Sequence, residues 1–329
     1  MRIVVPRAGG PGVLTIESFT SQPPGRGEVA IDVAAIGINL ADVFCRLGLY
    51  DAAPPMPFSP GFEVAGVVTA VGDGVTGLVP GDRVFAVTLF GGYTSRLVIG
   101  EQRVRKLPEK WSFEEGAAFP VVFLTAYHGL VHIADIQRGE TVVVQSAAGG
   151  VGIAGCQLAR VLGARVIGTV GSEAKRAVAL EAGAHEVIVS RDYDVWGEIG
   201  RLSDGVDVIL ETVGGTQMRQ GFNALRPGGR LLICGFSDMM QKGGARNWLK
   251  LAWRYLRTPR FNPFKLVPAN RTISGYHLVY LWDRVDLLEP ALERMTAMVE
   301  TGELRPVVGK TFPFESAGDA HTFLQARHS

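Results

Sequence analysis

The sequence predicts an α/β protein in which a doubly wound parallel sheet is inserted into a mostly β unit, and three observations carry that prediction. The first third sets short β-type runs between Gly- and Pro-rich turns. From about residue 141 the rhythm changes to alternating strands and helices. A glycine-rich loop joins a strand to a helix near the middle of the chain. Closely punctuated strands read as antiparallel, whereas strand–helix alternation reads as parallel with right-handed crossovers. The 329 residues suffice for two packed cores.

In the first third, the β-type runs are residues 29–33, 64–71, 83–87 and 93–99. Pro23-Pro24-Gly25, Gly72-Asp73-Gly74, Pro80-Gly81-Asp82 and Gly91-Gly92 separate them, which suggests a barrel-like antiparallel unit. The parallel series starts at 141–145 and continues through a helix over 151–162 whose apolar residues are Ile153, Cys156, Leu158 and Leu162. A strand at 165–170 precedes a helix with Ser172 as N-cap and Glu173 in its first turn. Strands follow at 186–189, 206–210 and 230–234, the last after a helix stopped by Pro227-Gly228-Gly229. Residues 272–276 make a sixth strand, and a helix near 287–301 belongs to the return into the first unit. The expected boundaries are therefore 1–121, 122–280 and 281–329.

Composition narrows the function. Lys and Arg total 33 against 32 for Asp and Glu, so no overall field recruits nucleic acid. Residues 116–134 and 141–159 carry no formal charge. The first contains Pro120, His128 and His132, and the second Gln145, Ser146 and four glycines, so both read as buried core rather than membrane spans. Cys45, Cys156 and Cys234 show no C-x-x-C spacing and read as buried thiols. Pro6 and Gly9-Gly10 interrupt any secretory pattern at the start, and a reducing cytoplasm is the expected location.

The strongest local signal is Gln145-Ser146-Ala147-Ala148-Gly149-Gly150-Val151-Gly152, between a predicted strand and a predicted helix. It is an A-x-G-x-x-G variant of the dinucleotide fingerprint, with Ala147, Gly149 and Gly152 at the key positions. Gly149 lets the backbone approach a pyrophosphate, Gly152 lets the helix pack on the sheet, and the helix N-terminus offers N–H groups to the anion. Folds specific for NAD place an acid about 20 residues further on, for the ribose 2′-hydroxyl. Here Gly171 stands in that neighbourhood, with Ser172, Lys175 and Arg176 as donors to a 2′-phosphate, so NADPH is the expected cofactor. Glu173 is the rival reading, a displaced acid.

At this point the sequence resembles the medium-chain dehydrogenase/reductase superfamily, and within it the zeta-crystallin-like quinone reductases. The resemblance rests on Asn39-x-x-Asp42, Arg46-Leu47-Gly48-Leu49-Tyr50, Pro60-Gly61-Phe62-Glu63-Val64-Ala65-Gly66, Gly81-Asp82-Arg83-Val84, Leu124-Thr125-Ala126-Tyr127 and the glycine loop. Residues 247–281, with Ala269-Asn270-Arg271 and Gly275-Tyr276-His277-Leu278, are similar to the vesicle amine transport protein-like subgroup. The resemblance implies a Rossmann domain inserted into a GroES-like catalytic domain. Zinc-dependent relatives carry a Cys where Asn39 stands and a His where Phe62 stands, so a tetrahedral zinc site is not expected. His128 and His132, an i,i+4 pair, read as helix histidines without a third ligand. Relatives often place a Tyr against the 2′-phosphate where this chain has Ser190-Arg191, and Arg191 is the candidate substitute. Relatives also continue past the final helix with a Gly-Lys-containing strand, whereas this sequence stops at Arg327-His328-Ser329.

The resemblance further implies hydride transfer to a carbonyl substrate, with Asn39 and Tyr50 at the mouth of the cleft as donors to its oxygen. Asp42 orients its neighbours. Thr125, Gly150, Val151, Gly214, Gly235, Phe236, His277 and Leu278 are carried over as cofactor contacts. For Asn39 the plainer reading is an N-cap, and for Tyr50 an aromatic wall. The leading expectation is a zinc-independent NADPH reductase of a small apolar quinone or enone. The rivals are a trans-acting enoyl reductase on carrier-bound acyl chains and a non-catalytic NADPH-binding adaptor at membranes. The last draws on residues 239–282, which hold no acid and interleave Lys and Arg with Trp248, Trp253, Tyr255 and Phe261. Arg246, Lys250, Arg254 and Arg257 fall at helical spacing, so residues 246–261 read as a peripheral membrane contact, a substrate lid or a solvated helix. Related enzymes pair the sixth strand across a two-fold axis, which implies a homodimer.

Overall fold

A computed structural model describes residues 1–191, 194–239 and 248–326. Among these, residues 1–121 with those from 279 onward form one compact unit, and the described residues of 122–278 form a second. The first unit opens with β1 (Arg2–Val4) paired antiparallel to β2 (Thr15–Glu17). Then come β3 (Glu28–Ile36), α1 (Leu40–Leu47), β4 (Glu63–Val71), β5 (Arg83–Val87), β6 (Arg96–Gly100), β7 (Val104–Lys106) and α2 (Phe113–Ala117). The five strands β3–β7 form an antiparallel sheet in the order β6-β3-β4-β5-β7. That order has two edge strands, so the barrel-like expectation resolves into a sheet rather than a closed ring. Val29, Ile31, Val64, Val68, Val84 and Val104 pack its core. The predicted turns follow glycine chemistry: Gly74, Gly81 and Gly91 sit at φ +84°, +97° and +83°, where side chains are strained.

α3 (Pro120–Tyr127) leads the chain into the second unit and runs on into a π-helical stretch, His128–Ile133. By length and composition Phe113–Ile133 could cross a membrane, but 61% of its apolar window is buried in protein, as in a core helix. There follow β8 (Thr141–Val144), α4 (Gly150–Val161), β9 (Arg165–Val170), α5 (Arg176–Glu181), β10 (Glu186–Val189), α6 (Val195–Leu202), β11 (Val206–Glu211), α7 (Gln217–Ala224) and β12 (Leu225–Ile233). The unit ends with α8 (Trp248–Arg257), α9 (Pro263–Ala269) and β13 (Thr272–Gly275). All six strands β8–β13 are parallel, in the order β10-β9-β8-β11-β12-β13. The order reverses between β8 and β11, the switch point where such sheets bind ligands beyond their carboxyl ends.

β12 starts five residues earlier than the sequence suggests. Leu225 pairs with Val206, and the ladder resumes at Arg230 opposite Val208. Pro227-Gly228-Gly229 therefore forms an irregularity inside the strand, and α7 has already stopped at Ala224. Pro can interrupt a ladder only where its missing N–H is not required, as at such a bulge.

The return supplies α10 (Val285–Glu300) and α11 (Ala317–Gln325) to the first unit. α11 packs on α1, where buried Arg46 donates to Gln325 Oε1 at 2.9 Å. Tyr93 Oη lies 2.8 Å from His321 Nε2.

Candidate active site

Asn39 is the N-cap of α1, as the plainer reading of the sequence suggested, and two buried carboxyls hold it. Its backbone N–H donates to Asp42 Oδ2 at 2.7 Å. Its side-chain Nδ2 donates to Glu63 Oε1 at 2.6 Å. Asp42 Oδ1 also accepts from the Gly61 N–H at 2.9 Å, and Glu63 Oε2 from the Val121 N–H at 2.8 Å. Burial lifts the Asp42 carboxyl to about 7 and the Glu63 carboxyl to about 8, against the pull of these N–H donors. Asp42 thus bonds directly to the Asn39 and Gly61 backbones.

Tyr50 stands in an aromatic wall. Its ring centre is 5.9 Å from that of Phe62, Phe62 is 5.2 Å from Phe90, and Phe90 is 5.9 Å from Phe58. Val5, Cys45 and Met56 pack behind these rings. Burial pushes the Tyr50 phenol up, so it remains a protonated donor.

In the second unit, Gly149 is the N-cap of α4 and no side chain caps that end, which leaves the first-turn N–H groups for an anion. A Cβ on Gly152 would lie 2.1 Å from Ser146 O, so only glycine lets α4 approach the loop this closely. Gly149 has an ordinary φ of −94°, and a Cβ there would meet only Ser146 O at 3.3 Å. Packing within the fold therefore does not by itself require glycine at 149. Ser146 itself holds φ +50°, a left-handed turn for a non-glycine residue. Ala147 is fully buried beneath the loop, while Gly150 and Val151 open the helix.

Around the second strand, a Cβ on Gly171 would meet nothing within 4 Å, which leaves room for a phosphate. Ser172 precedes a 3-10 turn, Glu173–Lys175, with no hydrogen bond from its side chain to that turn, so the expected capping bond is not made. Arg176 is committed elsewhere. It grips Glu173 with Nε to Oε1 at 2.6 Å and Nη2 to Oε2 at 3.1 Å. The same clamp occupies Glu173, the rival acid, and holds its carboxyl below the usual range. Lys175 and exposed Arg191 remain as cationic candidates.

Gly214 and Gly235 follow β11 and β12. A Cβ on Gly214 would come within 3.2 Å of the Phe236 ring, so these two residues sit together. The Thr125 carbonyl accepts from Tyr276 Oη at 3.0 Å, beside His277 and Leu278 after β13. All the cofactor candidates of this group therefore lie at the carboxyl ends of neighbouring strands or on α3. Two residues were missed in the sequence. Glu63 was quoted only as part of a motif. Glu211 ends β11 fully buried, with Oε1 accepting from the Val213 and Gly214 N–H groups at 2.7 and 2.8 Å. An acid closing the apolar run Val206–Glu211 was the available signal.

The basic aromatic segment is less cationic than its spacing implied. Arg246 lies outside the described residues. Arg254 donates to the Asp238 carbonyl and pairs with its carboxylate at 3.9 Å. Arg257 stacks on Trp253 at 4.4 Å. α8 exposes Leu249, Trp253 and Leu256 along one face, at 85%, 55% and 71%, beside exposed Tyr255 and Arg257.

The alcohol dehydrogenase GroES-like domain family matches residues 25–135, and the zinc-binding dehydrogenase family matches residues 150–296. The human synaptic vesicle membrane protein VAT-1 homolog is 34% identical over 329 residues, covering 99% of this chain and 83% of that protein. A quinone oxidoreductase of Escherichia coli, solved in complex with NADPH, superposes with a TM-score of 0.84 at 31% identity, covering 100% of this chain and 97% of that one. The CurK enoyl reductase gives a TM-score of 0.84 at 30% identity, covering 98% and 95%. A GroES-like unit joined to a dinucleotide-type parallel sheet defines an oxidoreductase architecture. The chain belongs to the medium-chain dehydrogenase/reductase superfamily, in its zeta-crystallin-like quinone oxidoreductase subgroup.

The family name implies zinc, and the residues present do not fit it. Asn39 is a neutral amide bonded to Glu63, and Phe62 is 4% exposed within the aromatic wall. His128 and His132 face each other, Nδ1 to Nδ1, at 3.2 Å, and burial holds His128 down to about 4. Among the described residues no group of three or more His, Cys, Asp or Glu side chains could hold a metal ion.

Proposed function

We propose that the protein is an NADPH-dependent, zinc-independent reductase of quinones or α,β-unsaturated carbonyls. The carrying observation is the substitution of an amide and an aromatic ring, Asn39 and Phe62, for the ligands a zinc dehydrogenase needs. NADPH, when bound, supplies the hydride. An electrophile must then meet the charge that grows on the carbonyl oxygen. Asn39, held from both sides, offers its remaining amide proton, and Tyr50 offers a phenol that burial keeps protonated. The half-buried rings of Tyr50 and Phe90, with buried Phe62 packed between them, give an apolar surface suited to a flat, uncharged acceptor. A cofactor-oxidation screen over quinones, small enones and enoyl thioesters, with chelator present, tests the reading. NADPH consumption with a quinone or enone supports it, and consumption abolished by chelation counts against it. Similarity to CurK favours a second reading, an enoyl reductase on carrier-bound chains; turnover of carrier-linked thioesters alone would select it.

Cofactor preference is tested at Lys175. Lys175→Ala is expected to weaken NADPH binding by about 1.5–3 kcal/mol, or roughly 10- to 150-fold, because a charge-assisted contact to the 2′-phosphate is lost. NADH affinity should stay as it was. Equal losses for both cofactors would remove Lys175 from the phosphate site.

We further propose a homodimer built on the β13 edge. β13 is an edge strand, and an uncovered edge is otherwise an aggregation liability. Light scattering at micromolar concentration should give twice the chain mass of 35.3 kDa. A monomer that sediments with anionic liposomes would instead favour the membrane-adaptor reading. Its cytoplasmic location is proposed from three free cysteines.

A further inference from the structure

Glu63 is 2% exposed, and among the described residues neither it nor Asp42 is paired with Lys, Arg or His. Two neighbouring acids buried without a cation are costly, and a neutral side chain would fill the space at less expense. Capping does not explain the arrangement, since Asp42 already receives the Asn39 backbone N–H. The fold also makes room for Glu63. A Cβ on Gly37 would lie 2.1 Å from the Ala117 carbonyl, 2.4 Å from Glu63 Cγ and 2.5 Å from Oε1, so glycine there leaves space for both the backbone and the carboxyl. Each Glu63 oxygen then accepts one N–H, from Asn39 Nδ2 and from Val121.

We infer that Glu63 is a positioning residue: its carboxylate fixes the plane of the Asn39 amide and takes up one of the two amide protons, leaving the other as a directed donor. Catalytic consequences rest on the reductase reading above, whereas the clamp itself does not. Protonating Glu63 removes its charge and makes it a weaker acceptor, so its hold on the Asn39 amide loosens. Burial lifts Glu63 to about 8, and the Asp42 charge adds to that lift. The clamp therefore tightens as pH rises through about 8 and loosens below it. Asp42 on α1 is the titratable group facing Glu63 most directly, and the buried Tyr93 phenol also interacts with it. Arg46, one turn further along α1, donates to Gln325.

The test follows the Asn39 amide in protein labelled with 15N at asparagine, with Asn39→Ala identifying the resonance pair. Across about pH 6 to about pH 10 the two amide protons should move apart with a midpoint near that of Glu63. Asp42→Asn should lower the midpoint, because a neighbouring negative charge is removed. Glu63→Gln should abolish the titration. It should also lower kcat about tenfold and flatten the rise of kcat through the same pH range, with the Kd for NADPH unchanged. A wild-type resonance that does not titrate, or one that titrates equally in Glu63→Gln, overturns the inference. Where Glu63→Gln fails to fold, Asp42→Asn carries the test: a titration that disappears with Asp42 overturns the inference, and one that persists with a lowered midpoint supports it. Absence of turnover with every acceptor, alongside an intact titration, would reject the reductase reading and leave the clamp standing.

Discussion

Replacing Asn39 by Ala is expected to lower kcat for the best quinone or enone acceptor by about 10²-fold, or about 2.7 kcal/mol, with little change in the Kd for NADPH. The size follows from removing a preorganised donor aimed at developing oxyanion charge. Asn39 is not among the residues assigned to the cofactor, so the Kd for NADPH should stay as it was. Stability will fall by a smaller amount, about 1 kcal/mol, because an N-cap is lost. Glu63 also loses one of its two donors. Asn39→Ser separates these effects: its hydroxyl can cap α1 but is too short to reproduce the amide, so stability should recover while kcat stays low. Steady-state kinetics beside thermal unfolding of both variants provide the check. Recovery of kcat in Asn39→Ser would make Asn39 a cap and nothing more.

Local signals made most of the fold readable. β9 and β10 fall where β-branched runs placed them, because a buried parallel strand is apolar on both faces and short turns bound it. The glycine loop was readable because three requirements coincide there: a strand before it, a helix after it, and small residues where backbones meet. β12 was misread at its start because Pro and Gly usually end elements, whereas here partner Val206 holds Leu225 in the ladder across the irregularity. Sequence alone could not show that.

The candidate site was legible to a different depth in each part. Asn39 and Asp42 are three residues apart, so their contact could be anticipated from helix geometry. Glu63 lies 24 residues from Asn39, and only the sheet brings it back. Arg176 and Glu173 offered donors and an acid to a cofactor on paper, yet at i,i+3 spacing they satisfy each other. Arg254 reads as one member of a cationic helix face, but Asp238, outside the helix, pairs with it. Arg176 and Arg254 both have carboxylate partners, one local and one outside its helix, so charge patterning along one element overstated what was free to act.

The two glycines of the phosphate loop should fail in opposite ways, and this contrast is the sharpest test of the loop. Gly152→Ala puts a Cβ 2.1 Å from Ser146 O and 2.7 Å from Ser146 C. Both atoms are backbone, so no rotamer change relieves the overlap, and either α4 or the loop must move. Overpacking of this kind costs about 1–3 kcal/mol or more, so the unfolding temperature should drop by several degrees. NADPH affinity should fall with it, by about 10²-fold, since the displaced helix start no longer aims its N–H groups. Gly149→Ala meets only Ser146 O at 3.3 Å, and its φ of −94° suits any residue. The folded protein should therefore tolerate it with an unfolding temperature close to wild type. Its methyl group nevertheless stands where the pyrophosphate must approach the backbone, so NADPH affinity should again fall by about 10²-fold. Differential scanning calorimetry and NADPH fluorescence titration of the two variants read these quantities separately. Wild-type affinity in Gly149→Ala would show that the cofactor does not lie against this loop, and the dinucleotide assignment would have to be withdrawn.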